Sequence, residues 1–125
     1  MEKALLYELE RAIPELANNI YPTNAPETAN KPYLVYARIN TQKDKTLQGY
    51  ANSEALSYMF SIMATKYGDM KSLTKKVEDF LMSLPRTSIG EENIYIEDLT
   101  INNVTEQYEH ELKVNRGIID FTIYI

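Results

Sequence analysis

The chain contains no cysteine, no tryptophan, four glycines and one histidine among its 125 residues. Without cysteine it can form no disulfide, thiolate nucleophile or cysteine-type zinc site. The glycines, at positions 49, 68, 90 and 117, stand too far apart to build a Walker or dinucleotide-binding loop. No Gly-x-Ser-x-Gly elbow is present to activate a serine. Nor is there an apolar run of the about 18 residues needed to cross a bilayer as a helix. The opening residues, Met1 to Arg11, interleave charged and apolar side chains and lack the continuous apolar centre of a signal peptide, so the expected location is the cytosol in which the chain is made. Basic charge is also in deficit: 13 Lys and Arg against 18 Asp and Glu leave a net charge of −5. That balance disfavours nonspecific binding to nucleic acid or to anionic membrane, where affinity comes from bases neutralising phosphates. The densest basic runs, Lys43 with Lys45 and Lys71 with Lys75 and Lys76, are interrupted by Asp44, Glu78 and Asp79 and read as solvated faces. Protein surfaces are the better default partner.

At 44% hydrophobic and 25% charged, the composition is that of an ordinary globular chain. Surface scaling gives roughly 6,800 Å² folded against roughly 21,000 Å² unfolded, enough burial for one core but not for two independent ones. Residues 1–125 therefore read as a single domain.

Ala4, Leu5, Leu6, Leu9, Ala12 and Ile13 recur at helical spacing over residues 3–13, and Pro14 should end that helix near Ala12 or Ile13. Residues 15–19 then read as an irregular turn, and the proline-rich stretch Tyr21 to Pro32 as an extended surface connection. Tyr33 to Ile39 alternates as a strand. Asn40 to Asn52 is polar, with Leu47 and Tyr50 its large apolar residues, and reads as a long connection or a protruding hairpin. Residues 55–67 fit two templates: Leu56, Met59, Phe60, Met63 and Tyr67 make a helical stripe, whereas Leu56, Tyr58, Phe60, Ile62 and Ala64 alternate as in a strand. Next, Asp69 is placed to cap a second helix whose stripe is Met70, Leu73, Val77, Phe80, Leu81 and Leu84, stopped by Pro85. Arg86 to Glu92 reads as a turn. From Asn93 to Val104 the apolar positions change parity at Glu97 and Asp98, the mark of one bulged strand. Beyond the acidic stretch Glu106 to Glu111, Leu112 to Ile125 reads as a closing strand with Ile119, Phe121, Ile123 and Ile125 on one face.

Chemistry-bearing constellations are sparse. His110 lies in the run Gln-Tyr-Glu-His-Glu, but neighbouring residues of a strand or helix diverge, so Glu109 and Glu111 cannot complete a metal site with it. The acid pairs Glu91–Glu92 and Glu97–Asp98 read as a solvated strand end and a charged bulge guarding an edge. The ten tyrosines are the informative excess, because tyrosine joins large apolar area to a polar tip and is enriched at interface cores. Strand packing explains part of that excess.

Taken in order, the leading amphipathic helix, Tyr21-Pro22 to Ala25-Pro26-Glu27, Pro32-Tyr33-Leu34-Val35-Tyr36 and Asp44-Lys45-Thr46-Leu47-Gln48-Gly49-Tyr50 resemble the small tail-completion proteins of long-tailed phages and prophages. The similarity continues through Tyr67-Gly68-Asp69-Met70-Lys71-Ser72-Leu73-Thr74-Lys75-Lys76-Val77 and Gly117-Ile118-Ile119-Asp120-Phe121-Thr122-Ile123, nearly the whole chain. The resemblance implies that residues 55–67 are extended. The fold expected is then α+β in the order α-β-β-α-β-β, a mostly antiparallel sheet of about four strands with two helices on one face. It also implies a non-enzymatic structural protein of the virion tail, assembled in the host bacterial cytoplasm. Such proteins form a ring, commonly a hexamer, that terminates the tail tube and joins it to the head. The implied partners are further copies of the chain, the tail-tube protein and a head-completion or connector protein; no cofactor, metal, specific nucleic acid or membrane is implied. Because long loops in compact domains are usually functional or disordered, Lys43, Lys45, Leu47 and Tyr50 are the candidate interface residues. Competing readings are a monomeric protein-binding adaptor, another neck component, or a small hydrolase using Glu97, Asp98 and His110.

Overall fold

The computed structural model describes residues 1–23, 31–46, 49–111 and 113–125, with side chains at those positions except 40, 42–46 and 49–53. Helix α1 (Glu2–Ala12) buries Ala4, Leu5 and Leu9 and closes with the Ile13 amide donating to the Leu9 carbonyl at 2.9 Å, just before Pro14. The expected irregular turn is a 3₁₀ turn, Pro14–Leu16, which places Leu16 in the core at 0% exposure.

Strand β1 (Ile20–Pro22) lies where only a surface connection was expected. It runs parallel to β2 (Tyr33–Thr46), with Ile20 opposite Leu34 and Pro22 opposite Tyr36. Pro22 has no amide to give a second neighbour, so a strand containing it is confined to a sheet margin, where β1 sits. Strand β2 forms a long antiparallel hairpin with β3 (Gly49–Ala64), paired as far as Thr46 with Gly49 and irregular at Arg38/Asn40 and Lys43/Lys45. Of the two readings of Asn40 to Asn52 the hairpin is the one observed. The alternation of Leu56, Tyr58, Phe60, Ile62 and Ala64 prevails over the helical stripe, and all five are buried.

Helix α2 (Tyr67–Met82) begins two residues before Asp69, after Lys66, with no side-chain cap. Asp69 is thus in the first turn, where its charge favours the positive end of the helix dipole without capping it. The buried face is Met70, Leu73, Thr74, Val77 and Leu81. Residues 86–96, expected as a turn and half of a bulged strand, contain β4 (Thr87–Ile89) and β5 (Ile94–Ile96), paired in a separate two-stranded sheet. The parity change at Glu97 and Asp98 is therefore a handover between sheets, not a bulge: the Arg86 amide donates to the Ile96 carbonyl, whereas the Glu97 amide already donates to Tyr124 of the main sheet. The bulge lies further on, between Ile101 and Asn103 of β6 (Asp98–Glu109). Strand β6 takes in most of the acidic stretch and pairs with the closing strand β7 (Val114–Tyr124).

The main sheet has the order β1-β2-β3-β7-β6 and is mixed, because β1 is parallel. The α+β class and the two helices agree with expectation. The count of about four antiparallel strands and the order α-β-β-α-β-β do not, because three short strands of three residues each carry too little periodicity to be read. Both helices cover one face of the sheet. There Leu5, Leu9, Leu73, Val77 and Leu81 meet Phe60, Ile119, Phe121 and Ile123 in one apolar cluster, in which the Phe60 and Phe121 rings pack edge to face at 4.8 Å. Tyr58 lies in this layer beside the Arg38–Glu2 pair. Burial, reinforced by the Glu2 charge, pushes its phenol well above the ordinary value.

Candidate assembly surface

Alternation along the strands carries every second residue to the face without helices. On β3 these are Ser57, Met59, Ser61 and Met63, and on β7 Arg116, Ile118, Asp120 and Thr122. Two polar rows cross this face. In one, Thr122 Oγ1 lies 3.0 Å from Ser57 Oγ and accepts from Asn102 Nδ2 at 2.9 Å. In the other, Arg116 donates to Ser61 Oγ at 2.9 Å and to Glu109 Oε1 at 3.2 Å. Arg116, with Gln107 also donating, holds the Glu109 carboxyl below its ordinary value. On the same face Asp120 Oδ1, and Nε of the same Arg116, are buried with no hydrogen-bond partner among the described residues. Buried polar atoms left unpaired are costly, and a partner or ordered water against this face would relieve both. At one end of the same face Tyr33, Met63 and Val114 form a second apolar cluster, with Tyr21 edge-on to Tyr33 at 6.0 Å.

The far half of β6 is the most open part of the sheet. Residues 102–108 are all exposed, Val104 at 37% and Tyr108 at 48%. Among the described residues it is tied to the helical layer through Glu106, which accepts from the Tyr67 hydroxyl at 2.7 Å and lies 3.5 Å from Lys71 Nζ. The Tyr67 hydrogen bond and the Lys71 charge hold the Glu106 carboxyl below its ordinary value.

Of the candidate interface residues, Lys43 and Lys45 lie on the outer half of β2, and Tyr50 pairs with Lys45 across the hairpin. Leu47 falls outside the described residues. Glu97 and Asp98 precede and begin β6, whereas His110 follows its far end, so about 40 Å of extended chain separates Asp98 from His110. Asp98 is occupied with the Leu99 amide at 2.8 Å, and His110 packs edge-on against Tyr108 at 4.9 Å. The three residues do not form a site. Glu91 and Glu92 border a depression of ≈ 270 Å³ with Lys3, Tyr7 and Ile94. Among the described residues no group of three or more His, Asp or Glu could hold a metal ion, and no helix is long and apolar enough to cross a membrane. Among the described residues, tyrosines 7, 67, 95, 108 and 124 are substantially exposed, whereas Tyr33 and Tyr58 belong to apolar clusters. Ile39, at 57% exposure, was not singled out in the sequence. It stands at the β2 irregularity, where the loss of strict alternation hides its direction.

The family model described as "Tail completion protein gp17" matches residues 5–125. The chain belongs to this tail completion family. Membership makes it a structural component of a phage tail and places it in the virion tail. No curated protein matches the chain in sequence. Among solved structures, a chain of the "Virion of native gene transfer agent (GTA) particle" is similar in fold, with a TM-score of 0.70 over 95% of this chain and 90% of that one. At 14% identity the likeness speaks for the shared fold alone. The tail completion fold of this chain thus pairs one sheet face shielded by both helices with one face that no helix covers among the described residues.

Proposed function

We propose that residues 1–125 act as one tail-completion domain that assembles as a ring, a hexamer, on the head-proximal end of the tail tube. There it ends addition of tube subunits and presents a surface to the head-completion or connector protein. Its role is mechanical, with no catalytic step. The observation that carries this reading is the uneven covering of the sheet in a chain of the tail completion family: both helices shield one face, while the other keeps unpaired Asp120 and Arg116 atoms and the far half of β6 stays exposed. Surfaces of this kind are what an assembly subunit has to offer before its neighbours arrive. Lys43, Lys45, Leu47 and Tyr50 are assigned to contact with a neighbouring copy or with the tail-tube protein.

The test is native mass spectrometry of the purified chain, alone and mixed with tail tubes, together with complementation of particles that lack it. A closed oligomer in either setting, and tails that join heads only when the chain is supplied, are expected. A chain that stays monomeric on tube ends would instead make it an adaptor. Normal tail ends in its absence, with defects elsewhere in the neck, would make it another neck component.

A further inference from the structure

The two margins of the sheet are unlike each other. Strand β6 pairs with β7 on one side and with no strand on the other among the described residues. Native sheets usually blunt such a margin with lysine, proline or short length. Strand β6 is 12 residues long and contains no Lys, Arg or Pro. Past its bulge, Asn103 to Glu109 offers an uninterrupted seven-residue edge, about 23 Å long. On the opposite margin β1 covers β2 only from Leu34 to Tyr36. From Ala37 to Thr46 no strand lies on that side among the described residues.

Charge separates the two edges. Strand β2 carries Arg38, Lys43 and Lys45 against Asp44, three bases less one acid, a net of +2. Strand β6 carries Asp98, Glu106 and Glu109 with no base, a net of −3. Local pairs of Arg38 with Glu2, Glu106 with Lys71 and Glu109 with Arg116 cancel one base of β2 and two acids of β6, which leaves +1 against −1, smaller but still opposite in sign. Pairing of like edges sets acid against acid or base against base, whereas β6 against β2 is attractive. Each edge also exposes apolar side chains that a neighbouring strand would cover: Ile39 at 57% on β2, and Val104 at 37% and Tyr108 at 48% on β6.

We propose that the partner of each free edge is a second copy of this chain, the acidic outer edge of β6 in one copy pairing with the basic outer edge of β2, beyond Tyr36, in the next. This rests on the ring reading above and supplies its joint. A contact between two different patches of the same molecule is heterologous, and such contacts close into rings when the rotation per copy permits, whereas a contact between like edges stops at a dimer.

The absence of native cysteine makes the test direct. Thr41 on β2 and Thr105 on β6, both exposed, are changed to cysteine singly and together, and the protein is treated with a flexible bis-maleimide. Thr41→Cys/Thr105→Cys should give a ladder of cross-linked species up to the ring, and each single variant should give none. Cross-linked dimers from Thr105→Cys alone would overturn the proposal in favour of like-edge pairing. A ring seen by native mass spectrometry without a ladder from the double variant would overturn the joint and leave the ring standing. No oligomer in solution or on tails would overturn both. As a second arm, Lys43→Glu/Lys45→Glu and Glu106→Lys/Glu109→Lys, each verified as folded by circular dichroism, should each lose self-assembly. Mixed in equal amounts they should regain it as an alternating oligomer, because each altered edge then meets its complement. Undiminished assembly of either variant alone, or no recovery on mixing, would count against the charge-matched joint.

Discussion

Gly117 lies in the first half of β7, buried beneath α2. A glycine inside a strand ordinarily weakens it, so replacement by alanine at an open site would be neutral or stabilising by up to about 1 kcal/mol. Here a Cβ would run into Thr74 Oγ1 and lie 3.0 Å from Met70 Sδ and 3.3 Å from Thr74 Cβ. Thr74 and Met70 are themselves buried on α2 and joined by a hydroxyl–sulfur contact of 3.5 Å, so neither can turn outward without vacating the core. The added methyl must lift the helix from the sheet, and overpacking of this kind typically costs about 1 to 3 kcal/mol. That is a sizeable share of a net stability of about 5 to 15 kcal/mol. For a chain of this length it corresponds to a fall in melting temperature of roughly 3 to 15 °C. The assay is thermal and urea unfolding of Gly117→Ala, Thr74→Ala and the double variant. Thr74→Ala removes the hydroxyl nearest the new Cβ, so the double variant should recover at least about 0.5 kcal/mol relative to the sum of the single changes. A Gly117→Ala protein as stable as the wild type, or a double variant that shows no coupling, would refute the close approach of α2 to β7.

Leu73→Ala, at 5% exposure, should cost about 2 to 5 kcal/mol and Val77→Ala, at 0%, somewhat less, while Lys75→Ala should stay within about 0.5 kcal/mol because Lys75 makes only an exposed pair with Asp79. Equal melting shifts for the Leu73 and Lys75 variants would show that the wrong face of α2 has been assigned to the core. Truncation after Asn115 removes all but the start of β7, the strand between β3 and β6, and should abolish cooperative folding. A soluble truncated chain with a sharp melt would contradict this. The carboxyls of Glu15, Glu106 and Glu109 are held below their ordinary 4.5 by Lys76, by Tyr67 with Lys71, and by Arg116 with Gln107 respectively. Depressed carboxylates contribute fully above their unfolded value, and that contribution is lost as pH falls through the lower folded one. Melting temperature should therefore drop between about pH 5 and pH 3, and less steeply in the triple glutamine variant; parallel profiles would show that these pairs carry no linkage.

Long alternating segments were legible in the sequence because one buried face enforces period two over many residues. Ile119, Phe121 and Ile123 made β7 readable, and the three- and four-residue spacing of Leu73, Val77 and Leu81 did the same for α2. Residues 55–67 were ambiguous because Met59, half-covered, and Met63, buried against Tyr33 and Val114, lie on the helix-free face and add apolar positions that also fit a helix. The short strands were hidden for different reasons. Ile20–Pro22 is held by parallel pairing to β2, a tertiary contact without local signature, and the change of sheet at Glu97 mimics a bulge because both events reverse parity. The candidate assembly surface was legible only in part. The surplus of tyrosine pointed to interface use without saying which tyrosines are exposed, and the unpaired atoms of Asp120 and Arg116 and the edge of β6 depend on which strands become neighbours.

The proposed ring at the head-proximal end of the tail is a statement of position. Cryo-electron microscopy of intact particles, focused on the junction between head and tail and compared with particles carrying an epitope tag on the chain, measures it directly. A single closed ring of this α+β fold at the junction, with tag density on that ring alone, is the expected result. Tag density repeated along the tube, or confined to the distal tip, would contradict it.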